Sequence, residues 1–213
     1  MSYLLTDVTT LNLGFLASGR GSNMQAIIDA CRDGRLNAKP TVIISNNASS
    51  GALERARSAG IAGYHLSRKK HPDPCSLDLV ILETLQRHDV NLVILAGYMQ
   101  KIGPKVLNSF KNRIINIHPS LLPKFGGRGM YGMKVHEAVL AAGEKETGAT
   151  VHLVSEEYDE GVILAQRTLP VEQNDTPVTL AARVLEVEHN LYVETLRKII
   201  NGEIGLPDKA IQL

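Results

Sequence analysis

The sequence predicts an α/β fold built on an open, mostly parallel, Rossmann-like sheet flanked by helices, with antiparallel strands added in the C-terminal half. Three observations predict it. From residue 11 to about residue 110, apolar runs of strand length alternate with stretches of helical periodicity, the pattern of parallel strands joined by right-handed crossovers. The run Asn91–Met99 lacks in–out alternation, as strands covered on both faces do. Beyond residue 145 two strand-like runs are separated only by a short loop, which suits an antiparallel pair.

The elements follow in order. Leu11–Ala17 is a strand by its apolar density, and Met24, Ile27, Ile28 and Cys31 recur at helical spacing behind it. Pro40–Ser45 is the second strand. Ala52, Leu53, Ala56 and Ala59 mark a small-residue helix packed close to the sheet, ended by Gly60. Ala62–Leu66 is a short third strand, and Ser67–Pro74 is a basic, proline-containing loop read as solvated. Leu77, Val80, Ile81 and Leu85 give the next helix; the strand Asn91–Met99 and a short helix from Gly103 to Ser109 follow. Ile114–His118 is a strand that stops at Pro119. A glycine-rich loop, Lys124–Gly132, leads to a helix over Lys134–Ala142, then to the pair Thr150–Val154 and Val162–Val171. Thr176-Pro177 opens the last long helix, whose apolar stripe runs from Leu180 to Ile200.

The chain has 213 residues, 44% hydrophobic and 21% charged, within the range of soluble globular proteins. A single domain is expected over 11–206, preceded by a tail, 1–10. Net charge is +1 and Trp is absent, which argues against nucleic-acid binding by phosphate neutralisation or aromatic stacking. No apolar stretch is long enough to span a membrane, and the first residues lack a targeting pattern. Cys31 and Cys75 have no metal-ligand spacing and are expected as free thiols in the cytoplasm.

Four features point to a site. Along Ile114–His118, alternation puts Asn116 and His118 on one face and Ile115 and Ile117 on the other. Two polar groups on an otherwise apolar strand are costly to bury without a partner or a task. Between the first strand and helix, Ser18-Gly19-Arg20-Gly21-Ser22-Asn23 forms a turn that aims backbone N–H groups and a positive helix end at an anion; Ser22 or Asn23 could also cap that helix. Met24 replaces the third glycine of a dinucleotide fingerprint, and Asn46-Asn47 stands where an acid would meet ribose hydroxyls, so a single phosphate fits better than a pyrophosphate. Asp159 adjoins a strand entrance in the loop Ser155–Gly161. Glu188, four residues after Val184, is carried near the buried face of the last helix and needs a partner there. His136-Glu137 begins a zinc-protease pattern that fails at Leu140.

Gly19-x-Gly21-Ser22-Asn23, Leu95–Met99, Asn116–Pro123 and Asp159 closely resemble the glycinamide ribonucleotide (phosphoribosylglycinamide) formyltransferase family, in order over about Leu11 to Leu206. The resemblance implies the formyltransferase fold, with a phosphate-binding half over about 11–110 and a folate-binding, catalytic half over about 111–206. It implies transfer of a formyl group from the co-substrate 10-formyltetrahydrofolate to the amine of glycinamide ribonucleotide in purine biosynthesis, with neither metal nor ATP. By the same resemblance Asn116, His118 and Asp159 carry the chemistry, supported by His152. Gly21, Ser22, Asn23 and Glu188 hold the ribonucleotide. Met99, Gln100, Lys101, Ile102, Asn116, Ser155, Glu156, Glu157 and Tyr158 line the folate pocket. The expected assembly is a monomer or homodimer, with no membrane or nucleic-acid partner.

The chain departs from the family pattern at four places. Asp159-Glu160-Gly161-Val162 stands where Asp-Gly-Gly-Pro is frequent, and the Lys124–Lys134 connection is longer and richer in glycine. Pro74 and Gln100 replace basic residues that some members carry near the folate tail. The alternatives weighed are a 10-formyltetrahydrofolate hydrolase, expected to carry an N-terminal regulatory domain; a methionyl-tRNA formyltransferase, expected to carry a further C-terminal domain; a nicotinamide oxidoreductase; and a non-catalytic folate-binding protein.

Overall fold

The computed structural model describes residues 10–207, so the expected tail, Thr10 excepted, lies outside the described residues. β1 (Leu11–Ala17) runs parallel between β2 (Ala38–Ser45) and β4 (Leu92–Leu95); β3 (Ala62–His65) lies outside β2 and β5 (Ile114–His118) beside β4. β6 (Glu146–Leu153) adds antiparallel to β5, and β7 (Ile163–Pro170) antiparallel to β6. The order is β3-β2-β1-β4-β5-β6-β7. Strand order reverses direction between β1 and β4, and in open sheets ligands collect at the carboxyl ends of strands beside such a switch.

Both faces of the parallel strands are covered. Phe15, Ile43, Ile94 and Ile115 pack against α1 (Ser22–Arg32), α2 (Gly51–Ser58) and α6 (Pro177–Ile200). Leu16, Ile44, Val93 and Ile114 pack against α3 (Pro74–Arg87) and α4 (Pro104–Ser109). Thus Ile115 and Ile117 point to one layer while Ile114, Asn116 and His118 share the opposite side. α5 (Met133–Ala141) packs through Val139 on Leu180 and Val184 of α6. No helix among the described residues is long and apolar enough to cross a membrane. Cys31 and Cys75 are free thiols.

Several element limits differ from the sequence-based expectation. β4 ends at Leu95, not Met99, because Gly97 adopts φ 71° and turns the chain out of the sheet. β2 begins at Ala38, two residues before Pro40, and Pro40 sits where the β1–β2 register shifts, an irregularity that tolerates a residue without an N–H. Ala59 is exposed at the end of α2, which buries only Ala52 and Ala56. β6 starts at Glu146, four residues before Thr150; Gly148 hides that stretch from a strand pattern. A Cβ at Gly148 would stand 2.0 Å from the Arg167 carbonyl oxygen across the β6–β7 pair. Gly148→Ala therefore forces two paired backbones apart, and a stability loss of about 3 kcal/mol is expected, measurable as a lowered urea midpoint.

Candidate active site

The turn after β1 is held from three sides. Ser18 Oγ donates to Asn46 Oδ1 at 2.6 Å and accepts from the Met99 N–H at 2.7 Å, joining the ends of β1, β2 and β4. Asn46 thus serves this tie. Gly21, at φ 71° and ψ 29°, is the N-cap of α1, and no side chain caps the helix. The expectation that Ser22 or Asn23 caps α1 is corrected: both lie within its first turn, past the position from which a side chain can reach back to the free N–H groups. The positive helix end is left to an external acceptor. Gly21 also lets the turn lie close on α2, since a Cβ there would meet Ala52 at 3.1 Å.

Asn116 and His118 leave β5 toward β6 and the loop beyond it. His152, opposite Asn116 in the antiparallel register, lies with Nδ1 2.8 Å from the Leu153 carbonyl and Nε2 3.1 Å from Asn116 Nδ2. A carbonyl can only accept, so Nδ1 carries the proton and Nε2 accepts from the Asn116 amide. Burial pushes the His152 pKa down, against the opposing pull of the Leu153 carbonyl and Asp159, which keeps this tautomer neutral. One N–H of the Asn116 amide is thereby spent and the amide's orientation fixed; the second N–H remains for a ligand.

His118 is buried and donates from Nε2 to the Phe125 carbonyl at 2.7 Å, while Nδ1 faces Asp159 Oδ2 at 3.5 Å. The same Oδ2 accepts from the Gly127 N–H at 2.9 Å, and Oδ1 lies 3.6 Å from His152 Nε2. Asp159 therefore spans both imidazoles. Two backbone devices place it: its own φ of 59°, and Gly161, where a Cβ would fall 1.6 Å from the Leu153 carbonyl oxygen. The glycine-rich loop forms the back of the site, supplying the Phe125 carbonyl and the Gly127 N–H. Behind it, Thr150 Oγ1 donates to Ser120 O at 2.6 Å and accepts from the Leu122 N–H at 3.0 Å, bracing the turn that begins at Pro119.

These groups open on one cavity of about 720 Å³. Asn116, His118, His152 and Asp159 line it, as do Asn23 and Glu188. Met99, Gln100, Lys101 and Ile102 line it too, as do Ser155, Glu156, Glu157 and Tyr158, and Lys101 Nζ lies 5.7 Å from the Tyr158 ring centroid. Of the residues singled out in the sequence, Gly21 and Ser22 are not among its lining side chains; they form the start of α1 beneath Asn23. Among the described residues no group of three or more His, Cys, Asp or Glu is placed to hold a metal ion.

A family model described as formyl transferase matches residues 11–196. The chain belongs to the formyl transferase family. It is similar to the chloroplastic phosphoribosylglycinamide formyltransferase of Vigna unguiculata, 44% identical over 196 residues, a match covering 90% of this chain and 62% of that protein. It is similar also to the phosphoribosylglycinamide formyltransferase of Haemophilus influenzae, 38% identical over 201 residues, covering 94% and 92%. The crystal structure of glycinamide ribonucleotide transformylase 1 from Symbiobacterium toebii superposes with a TM-score of 0.88 at 39% identity, covering 98% of this chain and 96% of that one. The chain thus spans less than two thirds of the Vigna protein's length and nearly all of the bacterial ones'.

Sequence reasoning missed several cavity residues, Arg20, Arg128 and His136 among them. Arg20 lines the cavity beside Asn23, and the signal was a cation inside the Gly-x-Gly turn. His136 lines it from α5; it is buried and its Nδ1 has no partner. Its only sequence signal was the failed zinc pattern. It missed Tyr192 as well, which is fully buried and places its hydroxyl 3.1 Å from Leu95 O and 2.9 Å from Ile115 O, beneath the ends of β4 and β5.

Glu188 meets the expectation of a buried carboxyl needing a partner. Burial pushes its pKa up to about 8, against the lowering effect of a hydrogen bond with Asn23. Its proton is thus retained in the folded protein and lost in the unfolded chain between about pH 4.5 and 8. The unfolded state binds fewer protons across that window, so this group's contribution to stability falls as pH rises through it and levels off above. Glu188→Gln removes the ionisation. Its melting temperature is expected to match the wild type near pH 4.5 and exceed it progressively up to pH 8.5, as read by calorimetry across that range.

Proposed function

We propose that this chain transfers the formyl group of 10-formyltetrahydrofolate to the amine of glycinamide ribonucleotide, a step of purine biosynthesis. The observation that carries the reading is the convergence of the Asn116 amide, the His118–Asp159 pair and the open start of α1 on one cavity. The folate lies between Met99–Ile102 and Ser155–Tyr158. The ribonucleotide phosphate lies over Gly21, Ser22 and Asn23, and Glu188 receives the polar groups of the ribose or glycinamide.

The chemistry follows from these placements. The substrate amine resembles an α-amino group, with a pKa of roughly 8, so a useful fraction is neutral at pH 7. It attacks the formyl carbon, forming a C–N bond and a tetrahedral intermediate. The second N–H of the Asn116 amide donates to the oxyanion, and the positive charge of a protonated His118, whose own nitrogens face the Phe125 carbonyl and Asp159, balances it. Asp159 balances the imidazolium, and through a water takes the proton that the attacking nitrogen sheds. Collapse breaks the bond to N10 of the folate, which leaves carrying a proton. One amide is exchanged for another, so no phosphoryl donor enters the balance, and the oxyanion is met by protein groups without a metal. We read 11–206 as one working unit, a monomer or homodimer acting in the cytoplasm.

Incubating the purified chain with 10-formyltetrahydrofolate tests this reading. Folate deformylation is expected only when glycinamide ribonucleotide is present. An equal rate without it makes the chain a hydrolase, and no deformylation in either case makes it a folate-binding protein.

A further inference from the structure

Arg20 has no role in the family pattern carried over above, yet its side chain is exposed and lines the cavity. The loop bearing it is fixed at the backbone. Gly19 O accepts from the Ala52 N–H at 3.1 Å, and Arg20 O accepts from Arg55 Nε at 2.8 Å. A Cβ at Gly51 would stand 3.1 Å from the Arg20 carbonyl oxygen, so the loop lies flush on the first residue of α2. With its main chain held there, the Arg20 side chain lines the cavity together with Asn23 and Glu188. Among the described residues, no carboxylate pairs with its guanidinium. The neighbouring Arg55 is occupied by Arg20 O and Gln25 Oε1.

The electrostatics of the cavity call for that cation. Glu188 is a buried carboxyl in the same cavity, and no cation among the described residues pairs with it either. A phosphomonoester entering beside this protonated carboxyl brings the negative charge. Backbone N–H groups at the start of α1 offer partial charges only. A guanidinium supplies a full positive charge and a planar fork that matches two phosphate oxygens. We propose that Arg20 is a specificity-determining residue that closes over the substrate's phosphate and selects the phosphorylated ribose moiety. This rests on the transferase reading above and adds to it a residue that discriminates the nucleotide from its dephosphorylated form.

The test uses Arg20→Ala and Arg20→Lys, with ribose 5-phosphate as the probe in titration calorimetry and glycinamide ribonucleotide in steady-state kinetics. A charge-assisted hydrogen bond contributes about 1.5–3 kcal/mol, so Arg20→Ala is expected to weaken ribose 5-phosphate binding and raise the ribonucleotide KM by about 10- to 100-fold. The kcat and the folate KM stay within about twofold, because Arg20 forms no hydrogen bond or ion pair with Asn116, His118 or Asp159. Arg20→Lys recovers part of the loss, since it keeps the charge and gives up the fork. The side chain is exposed and forms no bond among the described residues, so melting temperatures stay level in both variants. Equal affinity of wild type and Arg20→Ala for ribose 5-phosphate overturns the assignment and leaves the transferase reading standing. Failure of the wild type to bind ribose 5-phosphate, with no turnover of the ribonucleotide, overturns both.

Discussion

His118→Ala is expected to lower kcat for formyl transfer by about 100- to 1000-fold, the usual cost of deleting one oxyanion-stabilising group, while KM for the ribonucleotide stays near the wild-type value. The imidazole is buried, tied by Nε2 to the Phe125 carbonyl and turned by Nδ1 toward Asp159. On the proposed mechanism, truncation removes a group that stabilises the tetrahedral intermediate. It also leaves the Phe125 carbonyl without its donor, so a lower melting temperature accompanies the rate loss. Steady-state rates at saturating folate and ribonucleotide, below the melting transition, separate the two effects. A kcat within threefold of wild type removes His118 from the chemistry.

Asp159→Asn is expected to cost about 100-fold in kcat with little change in stability. The substitution keeps the volume and keeps an oxygen to accept from the Gly127 N–H, which holds the loop at 2.9 Å from Asp159 Oδ2. What it removes is the negative charge between two imidazoles, at 3.5 Å from His118 Nδ1 and 3.6 Å from His152 Nε2. Without that charge the imidazolium loses its counter-ion and the attacking amine loses its proton acceptor. Rate and melting temperature measured together are decisive: a normal kcat sinks the assignment, and a collapse in stability shows that the carboxylate serves the loop alone. Asp159→Ala serves as the contrast, because it removes the Gly127 acceptor as well and is expected to lower both quantities.

The parallel half of the sheet was legible because periodicity and glycine placement report it directly. Ile115 and Ile117 do face one layer, and Asn116 and His118 do leave the other side of β5. The pair's immediate surroundings, His152 and Asp159, were legible only through the family resemblance and not from local pattern. His152 faces Asn116 through a β5–β6 register set across a sequence separation of thirty-six, and no local pattern encodes that distance. The phosphate turn was visible from Gly19 and Gly21, yet the capping expectation failed because Gly21 itself occupies the N-cap in a left-handed conformation. The glycine-rich loop read as flexible punctuation; its carbonyl at Phe125 and N–H at Gly127 are backbone groups that side-chain identity cannot announce. Tyr192 escaped for the related reason that a tyrosine in a helical stripe reads as core, and only its hydroxyl contacts with Leu95 O and Ile115 O separate it from Leu191 and Leu196.

In the proposed reaction the formyl group passes directly from folate to the bound amine. The most direct measurement follows an isotopic label in the formyl group of 10-formyltetrahydrofolate through a single turnover with glycinamide ribonucleotide. The predicted result is label recovered in the formylated ribonucleotide in step with tetrahydrofolate, with no free formate. Label recovered as formate, at a rate indifferent to the ribonucleotide, contradicts it.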